Sequence, residues 1–157
     1  MIRLKALLFS FLFITLTLVC GATTIKEASD LYFNGKQQEA LDKFLEISKK
    51  TEDREAFLNA VYIALELGQN KLAIDTITVA LKKYPQYQTV LEFAGDAYLN
   101  AGYYLNAENI FTRLVGQETK TDFYYINLAR AQIGLDMPKL AIKNLQLAEK
   151  FNNHTAL

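Results

Sequence analysis

The sequence predicts an all-α fold, an α-solenoid of about four helix–turn–helix units after an N-terminal signal peptide. Three observations predict it. First, an alanine recurs at Ala40, Ala73, Ala107 and Ala141, at intervals of 33, 34 and 34 residues. Second, three further columns keep that register. Four residues after each alanine stands Phe44, Ile77, Phe111 or Leu145; seven after it, Ile47, Ala80, Leu114 or Ala148; five before it, Gly35, Gly68, Gly102 and then Asp136. A period of 33–34 residues over four ungapped copies marks stacked helical repeats. Third, apolar residues within each copy recur at three- and four-residue spacing, which lines one face of a helix.

Composition narrows the class further. A chain of 157 residues suits one domain. Half the residues are hydrophobic and two are proline, so the chain can bury enough surface to order itself. The net charge is zero, which leaves no basic excess for a phosphate backbone and argues against nucleic acid as a partner. The ten Phe and nine Tyr suit the seams between helices, with a minority left for a binding surface.

Residues 1–22 read as a targeting segment. Arg3 and Lys5 give a positive start, Ala6 to Val19 an apolar run, and Cys20-Gly21-Ala22 a small-residue end. That is the pattern of a secretory signal peptide, with cleavage expected after Ala22. Two other outcomes stay open. Cys20, the only cysteine, stands where a bacterial lipoprotein would be lipidated, although Val19 departs from the small residue preferred before it. An uncleaved anchor is the third, since Ala6 to Ile25 is long enough to span a bilayer. Cleavage would leave a chain without cysteine, stabilised by helix packing alone.

The repeats fall at about 21–53, 54–87, 88–121 and 122–152, and residues 153–157 form a tail. The first helix opens on Thr24-Ile25-Lys26-Glu27, a capping box with Thr24 at the N-cap. In the second copy Phe57, Ala60, Val61, Ala64, Leu65 and Leu67 make one stripe, with Asp53 as N-cap. Gly68 ends that helix as a C-cap, Asn70 falls in the turn, and Leu72, Ala73, Ile77, Ala80 and Leu81 make the second stripe. Pro85 closes the unit. Small residues pair at the helix crossings: Ala28 with Ala40, Val61 with Ala73, Gly95 with Ala107, Ala129 with Ala141. Small side chains there let helix axes approach to about 8–10 Å. In the fourth copy Met137-Pro138 opens the second helix, where a proline is tolerated in the first turn.

The pattern resembles the tetratricopeptide repeat, over roughly Thr24 to Asn152. "YLNAGYYLNAENIF" (Tyr98 to Phe111) and "YFNGKQQEALDKF" (Tyr32 to Phe44) carry the likeness most fully. Copy two keeps the terminal proline, Pro85, and copies one, three and four lack it. The resemblance implies a right-handed superhelix whose first helices line a concave groove, with protein binding as the activity. Carried to this chain, the groove positions are Ile25, Ser29 and Phe33; Leu58, Tyr62 and Glu66; Glu92, Asp96 and Asn100; and Ile126, Arg130 and Ile133. Chaperone-binding members grip a C-terminal carboxylate with Lys, Asn and Arg. Here the basic positions hold Ile25, Leu58 and Glu92 and only Asn59 matches, so that mode is rejected. The groove instead suits an amphipathic helix or an extended apolar segment. Glu92 and Asp96 would meet a partner's Lys or Arg, or lie on a solvated face, or Asp96 would pair with Arg130 across neighbouring repeats. Tyr62 and Leu58 would bind, or simply pack, and Tyr103 and Tyr104 would cover the turn between paired helices.

Solenoid ends need polar caps. The last helix carries Leu140, Ile142, Leu145, Leu147, Ala148 and Phe151, apolar on more than one side. Either this end is an interface toward a partner or a second copy, with Leu140, Leu147 and Phe151 as its candidates, or the tail Asn152 to Leu157 folds back over it; the interface is the expected reading. No catalytic, metal or cofactor site is expected: His154 is the only histidine and no phosphate loop occurs. The expected function is a non-catalytic scaffold of the bacterial cell envelope, exported and periplasmic. The alternatives are a lipid-anchored accessory subunit of an envelope assembly or secretion complex, and a self-associating structural protein. Membrane contact would come only through a Cys20 lipid or an uncleaved signal.

Overall fold

The apolar stripes become helices in the expected order. The computed structural model describes residues 25–117 and 121–155, with backbone alone for 152–155. The signal segment, Cys20 and the Thr24 cap lie outside the described residues. The helices are α1 (25–33), α2 (Gln37–Thr51), α3 (Arg54–Glu66), α4 (Asn70–Lys83), α5 (Gln88–Asn100), α6 (Tyr104–Val115), α7 (Asp122–Gly134) and α8 (Pro138–Thr155). None of them, among the described residues, is long and apolar enough to cross a membrane. The last helix continues past residue 152 and opens on Pro138, as its first-turn tolerance allows.

Within each helix pair the turn is the same device repeated. Gly35, Gly68 and Gly102 adopt left-handed backbone, and so does Asp136, with φ of 57°. In each copy two backbone bonds close the first helix. Lys36 N–H donates to Leu31 O, Gln69 to Ala64, Tyr103 to Tyr98 and Met137 to Gln132, at 2.8–2.9 Å. The left-handed residue itself donates three positions back, to Tyr32, Leu65, Leu99 and Ile133. This is the Schellman arrangement, which satisfies the last carbonyls of a helix. Glycine enters that conformation without a Cβ penalty, and aspartate is among the few other residues that tolerate it. Asp136 is therefore a working member of the glycine column. Asn70, expected in the turn, instead begins α4, and its Nδ2 donates to Asn100 O at 3.5 Å. Asp53 caps α3 as expected: Ala56 N–H donates to its Oδ1 at 2.9 Å.

The chain divides into two compact units, one ending at Ile63 and one beginning at Ala64. In the first, Ala28, Ala40, Leu41, Phe44 and Ile47 are buried with Ala56, Phe57, Ala60, Val61 and Ile63 of α3. In the second, α4 packs on α5, α5 on α6, α6 on α7 and α7 on α8. Its core is Ala73, Ile77, Ala80, Leu91, Ala94, Ala107, Phe111, Leu114, Leu128 and Ala129. The alanine column and the columns four and seven residues after it are buried in every copy except at Leu145, so the register seen in the sequence is, there apart, the register of burial.

Two glycines show how tight the crossings are. A Cβ built on Gly95 would meet the Phe111 ring, with Cζ at 2.5 Å. A Cβ on Gly134 would run into the ring of Tyr104. Tyr104 thus seats on α7 of the next pair and does more than cover its own turn, while Tyr103 stands edge-on to Tyr98 at 6.4 Å. Replacing Gly95 by alanine forces the Phe111 ring out of its seat. Gly95→Ala should lower unfolding free energy by about 1–3 kcal/mol, the cost of overpacking a filled core. Urea unfolding followed by circular dichroism reads the change, and a stability equal to wild type would contradict the seat.

Candidate protein-binding faces

The first unit gathers three of the five groove positions expected in it. On α1, Ser29 donates from Oγ to Ile25 O at 3.0 Å, which turns its hydroxyl back onto its own helix. One turn on, Phe33 is 82% exposed, the most open large apolar residue of the described chain. Between α1 and α3, the Tyr32 ring stands edge-on to Phe33 at 5.6 Å and to Tyr62 at 6.1 Å. Ser29, Tyr32, Phe33, Asn59 and Tyr62 ring an open hollow of about 120 Å³ whose floor is Phe44 and Ile63. Phe44 is the repeat-column residue, buried at its base. Ile25 and Leu58 are half-buried and do not line the hollow. Tyr32 and Asn59 belong to it although groove spacing did not select them. The signal for Tyr32 was its place beside Phe33 in one of the best-matching stretches.

The second unit sorts its positions differently. Glu92 on α5 is engaged: its Oε1 accepts from the Tyr124 hydroxyl and from Gln88 Nε2, the latter at 3.1 Å. Gln88 Nε2 also donates to the Tyr124 oxygen at 2.7 Å. The three side chains tie α5 to α7 across neighbouring repeats. This corrects the expectation of Glu92 as a solvated face or a free anion for a partner's cation. Burial first, and then the hydrogen bond to the Glu92 carboxylate, hold the Tyr124 phenol in its neutral form, with its pKa pushed up to about 12.

Asp96, one turn along α5, is half-buried, and its carboxyl is raised above the ordinary range by burial. Arg130 opposes that shift and Glu92 adds to it. The expected Asp96–Arg130 ion pair is corrected to this longer-range attraction, because among the described residues the guanidinium instead donates to Asn127 Oδ1 at 2.8 Å. Asn127 is buried, with no partner for its Nδ2. Asn100, Ile126, Arg130 and Ile133 are exposed, as is Glu66 at the end of α3.

The three C-terminal candidates also part company. Leu140 is exposed, Leu147 is half-buried, and Phe151 is committed, stacked on Tyr125 with centroids 5.4 Å apart. The α7–α8 pair is further pinned by Asn144 Nδ2, which donates to the buried Gln132 at 2.8 Å. Among the described residues no group of three or more His, Cys, Asp or Glu could hold a metal ion.

Neither a protein-family model nor a curated protein matches the sequence. Solved structures do. MamA from Desulfovibrio magneticus RS-1, from residue 41 to its end, superposes with a TM-score of 0.76 at 16% identity, over 85% of this chain and 76% of that one. A thermophilic TPR protein of Thermus thermophilus gives 0.63 at 17% identity, over 85% and 75%. The pilF protein of Pseudomonas aeruginosa gives 0.62 at 17% identity, over 84% and 61%. The fold is of the tetratricopeptide-repeat type. At these identities the likeness concerns architecture, and the faces described above are this chain's own.

The Glu92 clasp has a pH signature. Tyr124 has a higher pKa folded than in an unfolded chain, where it is near 10.0. The folded state therefore keeps the proton longer, and stability falls as pH rises from about 10 toward 12. Tyr124→Phe should cost about 1–2 kcal/mol at neutral pH, since it strips a partner from Glu92 and Gln88. It should also shed a part of the alkaline loss. Unfolding free energies of both proteins at pH 8 and pH 11 test this; the same alkaline slope in each would refute the assignment.

Proposed function

We propose that the chain is a non-catalytic scaffold that grips a partner's helix or extended apolar segment on the faces of its first helices. The observation that carries this is the aromatic hollow of the first unit. Phe33 stands almost fully in solvent beside Tyr62, over a lining that is largely apolar, with Ser29 and Asn59 as polar handles. An exposed aromatic pair at a recess with a few polar groups is how protein interfaces place their anchors. In the second unit the exposed Ile126 and Arg130 offer an apolar and a cationic contact. Asp96 offers a carboxylate held partly out of water. A partner with one basic residue flanking an apolar stripe complements that set.

The setting we propose is the bacterial cell envelope, with the protein exported by residues 1–22 and free in the periplasm, or held at the membrane through a Cys20 lipid or an uncleaved signal. The positive start and apolar run of those residues support it. One experiment addresses both statements. A photo-crosslinking residue at position 62 is introduced into the chain in its own cells, and the mass of the mature protein is read from soluble and membrane fractions. A chain beginning at Thr23 in the soluble fraction, crosslinked to one protein and losing most of that adduct in Phe33→Ala, is the expected result. An adduct unaffected by Phe33→Ala would remove the hollow from the binding site. A chain retaining Met1 in the cytosol would remove the envelope from the reading.

A further inference from the structure

The repeat register supplies a comparison at the C-terminal end that single residues do not. Leu145 shares its column with Phe44, Ile77 and Phe111. Those three are 2%, 0% and 0% exposed, and Leu145 is 43% exposed. By the alanine register Ile133 aligns with Leu99, which is buried, and with Leu65 and Tyr32, which are half-buried, rather than with the exposed Asn100, yet it is 61% exposed. Ile142 shares its column with Leu41, which is buried, and with Ile74 and Glu108, which are half-buried, and is itself 57% exposed. Apart from Glu108 the residues of these columns are apolar or aromatic, and each is less exposed in the earlier copies than at this end. The covering element is visible one copy earlier. Phe111 is closed off by α7, whose Phe123 ring stands edge-on to it at 6.5 Å.

We propose that the end face made by Ile133, Ile142 and Leu145 docks an amphipathic helix of a partner protein, seated on α8 as α7 is seated on α6. The partner's apolar stripe would close on the two isoleucines and the leucine. Glu149 lies on the same side of α8, seven residues after Ile142, and is exposed, so it favours a Lys or Arg on the partner helix. This site shares Ile133 with the expected groove of α7, but Ile142 and Leu145 lie on α8, and it does not depend on the aromatic hollow of the first unit.

A second copy of this chain fits the face poorly. Head-to-tail stacking would place α1 on α8. The α1 residues in the stacking columns are Lys26, Glu27 and Asp30, all exposed. The later copies fill the columns of Glu27 and Asp30 with buried residues: Ala60, Ala94 and Leu128 in one, Ile63, Ala97 and Ala131 in the other. Charge at those positions caps the N-terminal end against a preceding repeat.

The probe is a fluorescein-labelled peptide of residues 121–136, the α7 segment that covers the equivalent positions inside this chain. Its anisotropy is followed against the full chain, purified as the cell processes it. Saturable binding is expected, weakened at least tenfold by Leu145→Asp and by Ile133→Asp, each checked for an unchanged helical circular dichroism signal. A Leu128→Asp peptide should lose binding likewise, and Val79→Asp in the chain, an exposed site on α4, should leave it intact. The two aspartates sit on different helices at exposed positions, so one folded variant suffices. No saturable binding, or binding indifferent to both substitutions, overturns the proposal. So does a dimer, seen by light scattering, that Leu145→Asp dissolves, because the occupant would then be a second copy.

Discussion

Close approach at the helix crossings is the constraint on which everything else rests. Where α5 meets α6, Gly95 leaves the space that the Phe111 ring fills, and Ala107 lies fully buried one turn earlier on α6. The same logic appears one pair later, where Gly134 receives the ring of Tyr104. A ring seated on a glycine gains contact along its whole face, and the helices stay close enough for the neighbouring leucines and isoleucines to touch. The left-handed turns complete the device. Each reverses the chain in about three residues and still satisfies the helix-end carbonyls.

This arrangement divides the sequence into two kinds of position. The columns that face a neighbour hold small or apolar residues and are buried. The positions between them are free to vary, and there the chain places Phe33, Tyr62, Ile126 and Arg130 in solvent. Polar clasps stitch the two kinds together. Glu92, Gln88 and Tyr124 join α5 to α7 on the first-helix side, and Asn144 and Gln132 join α7 to α8. A scaffold built this way keeps its stability in the columns and its specificity on the faces.

Much of this was legible in the sequence because the determinants are periodic. The alanine and glycine columns predicted the helices, the turns and the core, and even Asp136 took the conformation that its column required. What escaped was contact that crosses the period. Glu92 looked like a free surface acid because its partner Tyr124 lies 32 residues away on another helix. Tyr104 looked like turn cover because its seat, Gly134, lies on a helix of the next pair. Phe151 looked like an interface residue because the stacking of Tyr125 beneath it is set by three-dimensional packing. Leu145 stands in a column that is buried in the three earlier copies yet is itself 43% exposed, a contrast that only the burial of each copy reveals.

The central claim is that the small-residue columns, and not helix amphipathicity alone, hold the repeats together. The most direct measurement compares unfolding free energies of Ala107→Leu and Asn106→Leu. Both place a leucine, a good helix former, on the same turn of α6, but Ala107 is fully buried at the crossing and Asn106 is exposed. The account predicts a loss of at least about 2 kcal/mol for Ala107→Leu, as expected for overpacking a filled core, and a change within about 0.5 kcal/mol for Asn106→Leu. Equal effects at the two positions would contradict it.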